Sequence, residues 1–147
     1  MGVEEKIPVG FIQIERTERF MGLIGPWYSK EFINDIGISN RILGLLLEEK
    51  HTNLWGSAHG GLLVTMADSA LGYSLARAAI PTQKLVTVSL TSDFLSSPKP
   101  GDWIEAHVNV LKVGARMSFG ECLLKVNEKI IFRSSGVFAK ITPKVNI

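Results

Sequence analysis

Hydrophobic and polar residues alternate most clearly in the second half of the chain. From Leu85 to Phe94, Val86, Val88 and Leu90 alternate with Thr87, Ser89 and Thr91, the period of a half-buried strand. The same period runs from Asp102 to Val113 through Ile104, Ala106, Val108 and Val110, and two more strands are expected over Arg116–Val126 and Ile130–Thr142. Pro98-Lys99-Pro100-Gly101, Gly114-Ala115 and Asn127-Glu128 read as the turns between them. The last three strands are therefore hairpin-connected and antiparallel. Gly120 and Gly136 interrupt their strands and predict curvature or bulges. Upstream, Arg41 to Glu49 reads as a strand, although Leu45-Leu46-Leu47 fits no single period.

A different pattern fills Asn53 to Ala79. It opens on polar and small residues and becomes one apolar run of strong helix formers, among them Leu62, Leu63, Met66, Ala67, Ala70, Leu71 and Leu75. Gly61 to about Ala79 reads as one long helix that Pro81 cannot continue. It is apolar on most sides, so it is expected to be buried. The order of strand, long helix and four strands predicts an α+β domain in which a curved antiparallel sheet holds one long central helix.

Residues 1–29 read as an N-terminal extension packed on a core domain of residues 30–147. Within it, Phe11, Ile12 and Ile14 predict a short strand, and Thr17 to Ile24 a short helix with Phe20, Leu23 and Ile24 turned inward. Gly25-Pro26 breaks that helix. Phe32 to Ile36 predicts a helical turn ended by Gly37. Trp27, Tyr28 and Phe32 either cover one edge of the core or line a pocket for an acyl or aryl group; packing is the commoner fate of aromatic side chains.

Composition narrows the functional classes. With 46% hydrophobic and 20% charged residues the chain is an ordinary globular one. A net charge of +2 gives no reason to expect a nucleic acid or membrane surface as partner. The single Cys122 excludes an intrachain disulfide and reads as a packed thiol in a reducing cytoplasm. His51, His59 and His107 lack metal-ligand spacing, so no metal is expected. His107, on an alternating strand, reads as a sheet-face residue. The start MGVEEKIPVG lacks a signal-peptide pattern, and no apolar run reaches the ~20 residues of a membrane span.

The candidate chemistry lies on the long helix. Gly61, Thr65, Asp68, Ser69 and Gly72 recur at three- and four-residue steps and share one stripe. A carboxylate at Asp68, within an otherwise apolar run, must be paired, hydrogen-bonded or used. Free N–H groups and the positive dipole end at the helix start suit a developing oxyanion. Gly60 and Asp68 are eight residues apart, about 12 Å along a helix axis. A base and an oxyanion donor must both come within roughly 3 Å of the reacting atoms, which one helix cannot arrange. Two copies packed antiparallel about a twofold axis can, so a homodimer with shared active sites is expected, the small stripe permitting close approach.

Asn53, Gly56, His59-Gly60-Gly61 and Asp68 form the pattern N-x-x-G-x-x-H-G-G-x(6)-D. In this the chain resembles the hotdog-fold acyl-CoA thioesterases of the phenylacetic-acid-pathway (PaaI) type, from about Phe32 to Ile141. The resemblance implies a hotdog fold and hydrolysis of acyl-CoA or aryl-CoA thioesters by a homodimer or homotetramer. No separate cofactor is implied, since coenzyme A is part of the substrate. It assigns Asp68 as general base or nucleophile, Gly60 and Asn53 as the groups that polarise the thioester carbonyl, and His59 as support for the loop and product departure. Thr87 falls where a hydroxyl positions the water. Gly61 and Thr65 then belong to the substrate-binding surface. Lys99 and Arg116, with Lys84 and Arg133, are candidate cations for the coenzyme A phosphates. Two alternatives stay open: a non-catalytic acyl-CoA-binding protein on the same fold, and a hydroxyacyl-thioester dehydratase pairing a histidine with the carboxylate.

Overall fold

The computed structural model describes residues 2–15 and 17–142. Residues 1, 16 and 143–147, which the expected extension and domain include, lie outside the described residues. The elements in order are α1 (Val3–Lys6), β1 (Ile12–Gln13), α2 (Arg19–Leu23), β2 (Tyr28–Ile33), β3 (Ser39–Leu46), a 3-10 turn (Glu49–His51), α3 (Gly60–Ala78), β4 (Leu85–Phe94), β5 (Trp103–Val113), β6 (Met117–Val126) and β7 (Lys129–Lys140). The described strands form one seven-stranded sheet in the order β1-β2-β3-β5-β6-β7-β4. Every neighbouring pair in it is antiparallel. One long helix packed on such a sheet is the α+β hotdog architecture expected.

The core lies between α3 and the sheet. Leu63, Met66, Ala67, Leu71 and Leu75 of the helix pack with Leu43, Leu45, Ile104, Ala106, Leu124 and Phe132 of the strands. The helix comes close to the sheet where two glycines face each other. Gly120 and Gly136 are cross-strand partners, and a Cβ on either would lie 3.0 Å or 2.9 Å from the Leu71 side chain. These glycines make room for a helical leucine. The register shifts lie elsewhere, at Thr87/Ser89, Val110/Lys112 and Leu124/Lys125. Asn127 and Glu128 both have positive φ, 48° and 66°, as a two-residue hairpin turn of the primed type requires.

Two N-terminal expectations need correction. Phe32 to Ile36 is not a helical turn. Tyr28 to Ile33 pairs with β3 from Tyr28↔Gly44 to Ile33↔Ser39, and Asn34 turns the chain by accepting from the N–H groups of Ile36 and Ile38. The ladder overrides local helical spacing, and the 29/30 boundary falls inside β2. In α2, Phe20 and Leu23 face out, 59% and 76% exposed. Met21 and Ile24 are the residues that pack on the core. The helix is only five residues long, and Gly22 lets the Thr17 carbonyl approach where a Cβ would stand 2.5 Å away. This tight fold turns Met21 inward in place of its neighbours. Trp27 is fully buried and Tyr28 nearly so, with Phe32 more open, so Trp27 and Tyr28 cover the core edge.

Candidate active site

The start of α3 is built by the loop that precedes it. Thr52 and Ala58 form a bridge, the His59 N–H donates to the His51 carbonyl at 2.9 Å, and the Ala58 N–H donates to the Pro98 carbonyl at 2.9 Å. Asn53 ties the turn inside. Its Oδ1 accepts from the N–H groups of Trp55 (2.9 Å) and Ser57 (3.3 Å), and its Nδ2 donates to Ser57 Oγ at 3.3 Å. Within the protomer Asn53 is thus a turn organiser, with Leu54 and Trp55 exposed at the tip. Gly56 sits at φ +80°, where a side chain would be strained.

His59 is the N-cap of α3, its Nδ1 accepting from the Gly61 N–H at 2.9 Å. That bond occupies the Gly61 donor and places the neutral ring's proton on Nε2. The Gly60 N–H is one of the orphan donors of the helix start, and no acceptor among the described residues takes it. Gly60 also sits against Phe94, whose ring would lie 3.2 Å from an added Cβ.

Two turns further along, Asp68 is half-buried in the protomer, not sunk in the core. It lies on the least covered side of α3, and strand β4 brings a partner to it. Thr87 Oγ1 donates to Asp68 Oδ1 at 2.5 Å, just before the register shift between Thr87 and Ser89. The bond fixes one carboxylate oxygen and leaves the other for a further donor. Gly72, expected to ease contact with a second helix, is half-buried with Phe138 3.5 Å from where its Cβ would be.

A cleft of about 410 Å³ opens at the helix start between α3 and α2, lined among others by Phe20, Ile24, His59, Gly61, Leu62 and Thr65. Thr65 Oγ1 donates to the Gly61 carbonyl at 2.8 Å, so the hydroxyl is engaged within the helix while its side chain lines the cleft. His51, which had no visible partner in the sequence, is the joint behind this cleft. It is buried, its Nδ1 accepts from the Glu48 N–H at 2.9 Å, and its Nε2–H donates to the Ile24 carbonyl at 2.6 Å. Burial is the main cause that pushes its pKa below the usual histidine value. No spacing rule finds such a residue, because one of its ring's two partners, Ile24, lies 27 residues away.

The four cations are not gathered together in one protomer. Lys99 lies beside the turn before β5, its N–H donating to Asp102 Oδ2, and Arg116 beyond the far end of that strand. An eleven-residue strand separates them, roughly 35 Å at the strand rise. Lys84 lies at the Arg116 end, where its carbonyl accepts from Ile141 N–H and that of Arg116 from Lys140 N–H. Arg133 is paired with Asp93 at 2.8 Å and is not a free cation. His107 lies on the sheet face, 3.0 Å from Glu105, as expected. Cys122 is fully buried, and burial pushes its thiol pKa up to about 12.

Residues 56–129 match the family model described as the Thioesterase superfamily. The chain belongs to the thioesterase superfamily. The "Putative esterase PA0474" of Pseudomonas aeruginosa is 39% identical over 132 residues, covering 90% of this chain and 96% of that protein. Two solved structures share the fold. Zebra fish thioesterase superfamily member 2 aligns with a TM-score of 0.74 at 21% identity, over 84% of this chain and 87% of that one. The E. coli PaaI protein from the phenylacetic acid degradation operon aligns with a TM-score of 0.65 at 21% identity, over 72% of this chain and 75% of that one. Membership in the thioesterase superfamily places the chain among thioester hydrolases. The part that matches the thioesterase family holds Gly60, Asp68 and Thr87, while Asn53, His51 and α2 lie before it.

Proposed function

We propose that the protein hydrolyses acyl-CoA or aryl-CoA thioesters in the cytoplasm, as a homodimer whose active sites are shared between protomers. Asp68 of one protomer acts as general base on water, or as nucleophile, and Thr87 orients it. The Gly60 N–H of the other protomer, assisted by Asn53 Nδ2, binds the carbonyl oxygen as it gains charge. Thiolate is a good leaving group, so the reaction needs no strong acid. His59 serves as the cap that fixes the donor, not as an acid. That role argues against a dehydratase, which would need its ring for proton transfer. Lys99 stands at the Gly60 end of the protomer, where it would meet the coenzyme A phosphates; Arg116 would reach the same site only from the other protomer.

The observation that carries this reading is the Thr87–Asp68 hydrogen bond on the open side of α3, in a helix whose first N–H is unclaimed. Asp68→Asn keeps the hydrogen-bonding shape and removes the base. Release of free thiol from acyl-CoA should fall about 10²–10⁴-fold, with the sedimentation coefficient of the dimer unchanged. Full activity in the variant would remove Asp68 from the mechanism.

A further inference from the structure

The α2 segment is held in place by three unrelated contacts, one of them to α3. The Trp27 indole Nε1–H donates to the Met21 carbonyl at 2.9 Å, the His51 imidazole donates to the Ile24 carbonyl at 2.6 Å, and Ser69 Oγ meets Met21 Sδ at 3.4 Å. Ser69 belongs to the same stripe of α3 as Gly61 and Thr65, so α2 flanks that stripe. What lies between the two helices is the cleft of about 410 Å³, within the range of about 300–1,000 Å³ of small-molecule sites. Its walls differ in character. Phe20, Ile24 and Leu62 are apolar and Lys50 and Thr52 polar, while His59 and Gly61 bring it to the first turn of α3, whose Gly60 N–H has no acceptor among the described residues.

Phe20 is the telling residue. It is a large aromatic side chain, 59% exposed, on a segment otherwise anchored by Met21 of α2 and by Ile24 just after it. It contributes to the cleft wall and little to the core. An apolar wall beside the first turn of α3 suits the apolar part of a substrate whose carbonyl is held at the Gly60 N–H.

We propose that α2 is the specificity wall of the enzyme: the acyl or aryl group of the thioester lies between Phe20 and Ile24 of the α2 segment and Leu62 and Thr65 of α3. This rests on the thioester-hydrolase reading above. It assigns substrate selection to a segment upstream of residues 56–129, so chains that share those residues can differ in acyl preference by changing α2.

The test uses Phe20→Ala, which widens the cleft, and Phe20→Trp, which narrows it. Neither touches the core, and Phe20 is not part of the hydrolytic machinery. Free-thiol release is measured with acetyl-CoA, hexanoyl-CoA, dodecanoyl-CoA and phenylacetyl-CoA. The ratio of kcat/KM for the bulkier over the smaller substrates should rise at least about tenfold in Phe20→Ala, which removes a whole ring where a single methylene already makes a change of that order in an apolar pocket, and fall in Phe20→Trp. Unchanged ratios in an active enzyme overturn the wall while leaving hydrolysis intact. If the wild type releases no thiol from any substrate, calorimetry with dodecyl-CoA thioether decides separately. Binding that changes about tenfold between the two variants supports α2 as the acyl wall in a protein that does not hydrolyse; no binding, or identical binding, overturns it.

Discussion

At the scale of single residues, two histidines of one loop do opposite jobs with the same chemistry. His59 accepts an N–H through Nδ1 at the surface and caps α3; His51 does so while buried and passes its Nε2–H to a carbonyl of the N-terminal segment. Protonating His51 at Nδ1 would break the bond from Glu48 and charge a buried ring. Its folded pKa is lowered, mainly by burial, so its contribution to stability is whole above the unfolded value of about 6.5. The contribution is lost as pH falls from there toward the lowered folded value. Urea denaturation should show the wild type more stable than His51→Gln at pH 7.5, with the gap narrowing toward pH 5. A gap that stays constant would mean that the ring does not titrate against folding. The motif residues Asp68 and Gly60 were legible from sequence because their spacing along one helix is a local property. Thr87 came through the family resemblance, and its bond to Asp68 joins residues on different elements. His51 and Phe20 were not legible at all: their roles depend on how a distant short segment docks, which no periodicity records.

Among the elements, the sheet was the easiest to foresee and the N-terminal segment the hardest. Alternation sets β4 to β7 because one face of each strand packs on α3 and the other does not. Phe32 to Ile36 reads as a helical turn because the strand that takes Phe32 and Ile33 owes its stability to β3 next to it, not to its own residues. The glycines Gly120 and Gly136 were visible as interruptions, but their purpose, to let Leu71 approach, needed the third dimension. Gly136→Ala would put a Cβ 2.9 Å from both the Leu71 and Phe138 side chains. Overpacking of this kind costs about 1–3 kcal/mol. The unfolding free energy should fall by that amount, read as a lower urea midpoint at unchanged slope, and α3 should shift relative to the sheet. Because Asp68 lies less than one turn before Leu71, thioester turnover should also decline.

For the whole molecule, β4 occupies one end of the sheet, with β7 on one side and no strand among the described residues on the other. Val86 and Val88 are 48% and 55% exposed along it, and a ten-residue edge of this kind is an open template for pairing. In the proposed homodimer, pairing two copies there would join the sheets and set the two α3 helices side by side. No helix among the described residues is long and apolar enough to cross a membrane.

The eight-residue interval between Gly60 and Asp68 has a consequence for mixtures of defective proteins. Gly60 is the first residue of α3, where proline is well tolerated, and His59 before it has φ −64° and ψ 131°, a conformation that suits a following proline. Gly60→Pro therefore deletes one N–H with the helix kept, and its turnover should drop about 10²–10³-fold. Unfolded together with Asp68→Asn and refolded, the two crippled chains would pair at random. Every mixed pair would hold one ruined centre and one whole one, and about a quarter of wild-type turnover should return from two parents that have almost none. Were each chain self-sufficient, the blend would be as inert as its ingredients.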